Sequence, residues 1–387
     1  MSIFKTVVEQ ITNNKLRRED GKIIAIPFPF PRFSEYVPGI QKERYILITA
    51  NAKVGKSKIT DFIMVYSPVD YILSNPTCGA DIKIDYFTLE MSKESKIKQY
   101  VAHNLYLEHN IRLGEEEIDS IFDRYILEDH ILRKIEALEP KVEKFESKVN
   151  FIDNTRNPFG IYKHVRDWHE KNGIYLDKDL REIPLSQIKN TDSTIASQAT
   201  FAIFKYEPND PNLFYEVVVD HIGLATPEKG DDVKKTIEKL SSKYAIRMRD
   251  RWKAIVVYVQ QQAAATESVE NMKMSATKPT PAGLGESKLP QRDCDIMLGL
   301  YAPVRYKIKE YMGYNIALQA HANTPLLDNH RELETLINRR GGGMISTQLY
   351  FDGAVNYFKE LPKPDDTIGM AKLNTLLNIT RTRIRND

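Results

Sequence analysis

The sequence predicts an α/β fold: a mostly parallel central sheet flanked by helices, with a β-hairpin near the C-terminal end. Three observations carry that prediction. Short β-branched and aromatic runs alternate with charged stretches of helical periodicity, as strand–helix–strand units do. One such run, Tyr45-Ile-Leu-Ile-Thr49, leads directly into Ala50-Asn-Ala-Lys-Val-Gly-Lys-Ser57, which ends as a phosphate-binding loop ends. Residues 347–358 read as two alternating runs joined by Asp352-Gly353, a pair that tolerates the positive φ of a tight type I′ turn.

The 387 residues are 42% apolar and 28% charged, which suits a globular protein of one large or two ordinary domains. A net charge of +2 gives no overall electrostatic case for nucleic acid, so such binding has to come from local patches. Cys78 and Cys294 form neither a metal spacing nor a disulfide framework, and the histidines are scattered. A reducing compartment and no zinc site are expected. No apolar run approaches membrane-spanning length and the N-terminus has no signal core, so a cytoplasmic protein without membrane association is expected.

Residues 1–35 read as an N-terminal helix and linker. Ile3, Phe4, Val7, Val8 and Ile11 share one helical face, and the run from Pro27 to Pro31 then breaks the chain. The main α/β unit is expected over residues 36–361, with 362–387 as a C-terminal tail. Its candidate strands cover residues 45–49, 82–88, 149–152, 215–219, 255–259 and 295–301. Residues 114–148 are heavily charged and read as solvated surface helices. Residues 173–211 are polar and mixed and read as an insertion.

The chemistry starts at the loop. Ala50, Asn51, Ala52, Lys53 and Val54 precede Gly55, Lys56 and Ser57, with Ala50 standing where such loops usually have a first glycine. Loop N–H groups and the helix dipole attract an anion. Gly55 would let backbone approach it, Lys56 would reach phosphate and the Ser57 hydroxyl Mg²⁺, although a bare Gly-Lys-Ser is also common by chance. Val217-Val-Val-Asp220 has the form of a strand whose terminal Asp holds the Mg²⁺ water shell, although an ordinary strand and Asp turn reads the same. Glu90 follows another strand, and suits either a helix start or the polarising of an attacking water. In a parallel sheet the strand C-termini share one edge, where ligands bind.

Taken in order, several stretches resemble the motor domain of the DnaB-like hexameric replicative DNA helicases, within the RecA-like P-loop ATPases. Phe87-Thr-Leu-Glu-Met-Ser92 is close to that family's F-S-L-E-M-S, and Val218-Val-Asp-His-Ile-Gly-Leu224 is similar in form to I-D-Y-L-Q-L. Ile255-Val-Val-Tyr-Val-Gln260 resembles its strand ending in glutamine, Leu284-Gly-Glu-Ser287 its L-R-E-S, and Asn338-Arg-Arg-Gly341 its K-Q-R-N-G. Alanine at the first loop position is common there.

The resemblance implies ATP and Mg²⁺ as cofactors. It makes Lys56 and Ser57 the phosphate and metal residues, Glu90 the catalytic base and Asp220 the metal acid. Gln260 becomes the sensor of the γ-phosphate, and Arg339 or Arg340 a finger reaching the neighbouring subunit's site. On the residues alone that arginine pair also reads as a solvated pair beside a glycine turn. The family's lysine two residues before the finger is missing, since Ile337 or Asn338 holds its place.

The implied activity is an ATP-dependent DNA helicase that translocates on single-stranded DNA as a hexameric ring during replication, with a primase or loader as partner. A recombination or loader ATPase that does not unwind, and a non-catalytic nucleotide-binding assembly protein, are the alternatives. Only residues 1–35 precede the expected motor, so the primase-binding N-terminal domain of bacterial members is expected to be missing, a compact form that fits a phage version acting in the host cytoplasm.

Candidate DNA-facing loops are residues 225–232 and 263–289. The second carries Lys273, Lys278 and Lys288 and reads either as a flexible track for a DNA backbone or as a plain surface loop. Lys243, Arg247, Arg249, Arg251 and Lys253 read as a solvated helix face, and Arg381, Arg383 and Arg385 as a basic tail. The N-terminal helix packs either on a neighbour or on its own domain.

Overall fold

The structure is a computed structural model that describes residues 3–188, 205–317 and 325–386. Its strands are β1 (Arg44–Ala50), β2 (Asp81–Thr88), β3 (Val149–Ile152), β4 (Gly173–Leu176), β5 (Lys205–Pro208), β6 (Leu213–Asp220), β7 (Ile255–Gln261), β8 (Ile296–Tyr301), β9 (Glu310–Tyr311), β10 (Tyr314–Asn315), β11 (His330–Asn338), β12 (Ser346–Asp352) and β13 (Tyr357–Glu360). Nine of them form one sheet in the order β13-β12-β11-β8-β1-β7-β6-β2-β3. From β8 to β3 all neighbours are parallel, while β11, β12 and β13 add antiparallel pairs. All six predicted strands are present.

The parallel strands are covered on both faces, which is why they read as nearly unbroken apolar runs. Alternate residues of β1 enter different cores, as the two-residue period requires. Ile46 and Ile48 join Ile63, Tyr100 and Phe145 on one face. Tyr45 and Leu47 join Tyr162, Tyr244 and Trp252 on the other. The charged region 114–148 contributes helices Glu115–Ile118, Asp129–Glu136 and Glu139–Lys148, and the last is tied down by Phe145 stacking on Tyr100 at 3.7 Å between centroids. No described helix is long and apolar enough to cross a membrane.

Four expectations change. The Pro27–Pro31 region is not a mere linker: Phe28, Phe30 and Phe33 are buried in the first core, because the prolines turn an aromatic run back onto the sheet. The chain ends in a helix, Thr367–Asn386, that buries Met370, Leu373 and Leu377 against Tyr350 and Leu361. The side chains of Arg381, Arg383 and Arg385 lie outside the described ones. Residues 173–211 include the antiparallel pair β4–β5, held to the body where Trp252 Nε1 donates to Tyr175 Oη at 2.7 Å, while residues 189–204 lie outside the described ones.

The fourth concerns the hairpin. It forms, but its last pair is Asp352 with Tyr357, which leaves a four-residue turn rather than a two-residue one. The positive φ falls on Asn356 instead of Gly353. Asp352 is the cause: its carboxylate accepts from Ala354 N at 3.1 Å and from Arg112 Nε and Nη2 at 2.6 and 2.9 Å, which fixes a wider Asx-type turn.

The helix Ile3–Glu19 is held at its C-terminal end. Arg17 donates to Asn212 Oδ1 at 2.7 Å and to Gly79 O at 2.8 Å. Farther out, Phe4 is 73% and Ile11 62% exposed, so the apolar stripe does not pack on the described residues of its own domain.

Glu216 offers a stability test. It lies in β6 between Ile84 and Ile255, fully buried, and neither carboxyl oxygen has a partner among the described residues. Burial holds its pKa well above the ordinary carboxyl value, so the native state keeps a proton that the unfolded chain releases above about pH 4.5. Stability from this group is therefore lost as pH rises from there toward the folded value. Glu216→Met is expected to stabilise the protein by about 1–3 kcal/mol near neutral pH, with the gain shrinking as pH falls. Denaturant unfolding of both proteins across pH checks it.

Candidate active site

The candidate phosphate loop leaves β1 and enters a helix at Lys56. Gly55 has φ 107°, a left-handed conformation that residues with a Cβ rarely adopt. The helix runs through Lys56–Thr60, a π segment Asp61–Tyr66 and Ser67–Ser74. Ala50, where a glycine was expected, is fully buried in the first core, and a small residue suffices there.

Strand register carries the other groups to the same edge. Thr49 pairs with Gln260, and Thr88, two residues before Glu90, pairs with Asp220. Lys56 Nζ lies 3.6 Å from Glu90 Oε2; Lys56 is nearly buried, whereas the Glu90 side chain is 49% exposed and open to water. Asp220 is buried. Its Oδ2 accepts from Tyr86 Oη at 2.9 Å, and its Oδ1 has no partner among the described residues. Burial, with Lys56 nearby, lowers the pKa of the next residue, His221. A cavity of about 510 Å³ is lined by the loop, Glu90, Gln261, Asp328, Arg331 and Phe351. A larger one, about 700 Å³, lies between β13 and the C-terminal helix and touches none of these groups.

The segment 263–289 is not a free loop. It contains helical turns at Ala264–Glu267, Val269–Lys273 and Pro281–Gly283. Asn51 Nδ2 donates to Thr277 O at 2.8 Å and to Tyr306 Oη at 2.6 Å, while Thr266 Oγ1 donates to Asn51 Oδ1 at 2.9 Å. Gln260 Nε2 donates to Gly285 O at 2.6 Å and Ser287 O at 2.8 Å. The phosphate loop and the strand-end glutamine are thereby wired to one segment. Lys273 and Lys288 are exposed on it. Lys278 is instead engaged by Glu332 at 2.8 Å and by the Tyr311 ring at 5.5 Å. Burial works against its charge, but hydrogen bonds to Glu332 and Tyr311 outweigh that and raise its pKa. A lysine so held has less to offer a phosphate backbone. In the other candidate loop, Glu228 and Asp231 are both paired with Lys239, at 2.6 Å for the first.

Arg339 and Arg340 do not join their own site. β11 runs antiparallel, so its start is near the phosphate edge and its end, Asn338 opposite Ile296, is at the other. Both arginines are exposed beside Gly341, Gly342 and Gly343, all at positive φ, and Arg339 folds onto the carbonyl of Arg292.

Two residues escaped the sequence reading. Arg331, at the phosphate end of β11, donates Nε to Val54 O at 2.8 Å and covers the Phe351 ring at 4.5 Å, bracing the loop from a distant strand. Lys96, in the helix Lys93–His109, is buried against Asp61 with both N–O distances 2.9 Å. Burial raises the Asp61 pKa, an effect that Lys96 opposes. Neither residue forms part of a motif; each is one charge in a run that looks solvated.

No protein-family model matches the chain, and no curated protein matches it in sequence. Among solved structures, one ATPase domain superposes with a TM-score of 0.62 at 17% identity, covering 93% of this chain and 99% of that one. A DnaB-like replicative helicase, solved for its interactions with primase, gives 0.61 at 18% identity, covering 92% of this chain and 67% of that one. The β3-β2-β6-β7-β1-β8 core with its antiparallel extension thus has a RecA-like fold, shared with that ATPase domain and with the DnaB-like replicative helicase.

Proposed function

We propose that the protein is an ATP-driven motor of the DnaB-like helicase type, which moves on single-stranded DNA as a ring. The observation that carries this is the meeting of Lys56, Glu90, Asp220 and Gln260 at one edge of a RecA-like sheet. Loop N–H groups and Lys56 hold the triphosphate. Glu90, exposed and 3.6 Å from Lys56, orients and polarises the attacking water. Gln260 reports the state of the site through its hydrogen bonds to residues 285 and 287, on a segment whose exposed Lys273 and Lys288 face the DNA backbone.

The residues fit Mg²⁺, a hard cation taking oxygen ligands. The Oδ1 of buried Asp220, without a partner among the described residues, and the Ser57 hydroxyl are the groups to hold it. An ion held there would supply positive charge to the bound phosphates. The far-edge position of Arg339 and Arg340 supports a role on a neighbour, as a head-to-tail ring requires. The exposed stripe of the N-terminal helix is then a contact with the adjacent subunit, and a primase or loader is the partner class to test. The main unit is taken to run through residue 361, with the terminal helix as an appendage.

Purified protein is expected to hydrolyse Mg·ATP, faster with single-stranded DNA, and to unwind a forked duplex. DNA-stimulated turnover without unwinding would favour a recombination or loader ATPase. Binding without any turnover would favour the non-catalytic assembly protein.

A further inference from the structure

Lys96 and Asp61 stand out because both are charged and both are almost fully buried, at 1% exposure. A buried ion pair adds little to stability alone, since well-packed apolar residues of similar volume often do as well or better. Orientation is the better-attested use of such a pair, and here the hydrogen-bond directions are fixed by chemistry.

An ammonium has three donors and no acceptor. Two of the Lys96 donors go to the two Asp61 oxygens and the third to Tyr86 Oη, all at 2.9 Å. The Tyr86 oxygen must therefore accept, and its single proton goes to Asp220 Oδ2 at 2.9 Å rather than to the nearby Asp61 carboxylate, whose two oxygens already take Lys96 donors. Lys96 lies 3.7 Å from that same oxygen with no donor to spare, so it acts there by charge alone. Four elements meet in this chain: the helix after the phosphate loop, the helix after Glu90, and strands β2 and β6. Its outcome is a carboxylate with one oxygen tied and the other, Oδ1, without a partner among the described residues.

We propose that Lys96, anchored by Asp61 and acting through Tyr86, is a positioning residue that fixes the Asp220 carboxylate with its Oδ1 presented to the nucleotide-bound metal ion. This rests on the ATPase reading above. Without Lys96 the Tyr86 hydroxyl is free to turn to Asp61, and Asp220 loses its fixed orientation. The device also links the loop helix to the metal strand, so a shift of one is felt by the other.

The test uses Mn²⁺ as the metal probe. Binding of Mn²⁺ in the presence of ADP is followed by electron paramagnetic resonance, beside calorimetry of metal-free ADP and thermal unfolding. Tyr86→Phe removes one hydroxyl and keeps the ring. Lys96→Met alone strands a buried carboxylate and can fail to fold, so the paired variant Lys96→Met/Asp61→Leu replaces both charges with apolar volume. Both Tyr86→Phe and the paired variant are expected to weaken Mn²⁺ binding about 10- to 100-fold, the usual loss for an outer partner of a metal ligand. Metal-free ADP affinity and melting temperature should change little. Folded variants that bind Mn²⁺ with wild-type affinity would overturn the proposal while leaving the ATPase reading intact. A wild-type protein that binds neither ADP nor Mn²⁺ with ADP would overturn both.

Discussion

Glu90→Gln is expected to lower ATP turnover by about 10²–10⁴, the range for removing a positioned general base, while nucleotide binding persists. The amide keeps the size of the side chain and its place after β2, but it cannot accept a proton from water. On the proposed function binding is spared, because the loop N–H groups and Lys56, not Glu90, would hold the phosphates. Lys56→Ala should differ: it removes the cation 3.6 Å from Glu90 and weakens binding as well as turnover. Measuring KM and kcat for both variants separates them. Wild-type kcat in Glu90→Gln would mean that another group positions the water.

Replacing Arg339 and Arg340 together by Ala is expected to cost about 10³–10⁵ in kcat, the worth of an arginine finger. The sheet register keeps these arginines from their own phosphate loop, so the loss should be repairable between subunits. Mixing this variant with Lys56→Ala subunits should restore turnover that neither has alone. A site then forms wherever an intact loop meets a neighbour with intact arginines. Two inactive proteins whose mixture stays inactive, although mixed rings assemble, would remove the arginines from the mechanism.

The legible part of the candidate site was the part built from local motifs. Lys56 and Ser57 follow from a strand–loop–helix pattern, and Glu90 and Asp220 from acids at strand ends. Gln260 came from resemblance, and the structure adds to it two hydrogen bonds into residues 285 and 287. The hairpin was readable but its turn was not, because Arg112, 240 residues away, fixes the Asp352 carboxylate. Lys278 looked like its neighbours Lys273 and Lys288 in sequence, and only the fold brings Glu332 against it.

By itself, then, the sequence determined the strands, their alternation with helices and the groups at the strand ends, since periodicity and loop chemistry are local. Tertiary structure decided everything that depends on distant residues meeting. It ordered the strands so that four C-terminal ends share an edge and set Arg339 and Arg340 at the opposite one. It also buried Lys96 with Asp61 behind Asp220. A charge in a polar run looks solvated until a fold removes its water, and that removal is a property of packing rather than of sequence neighbours.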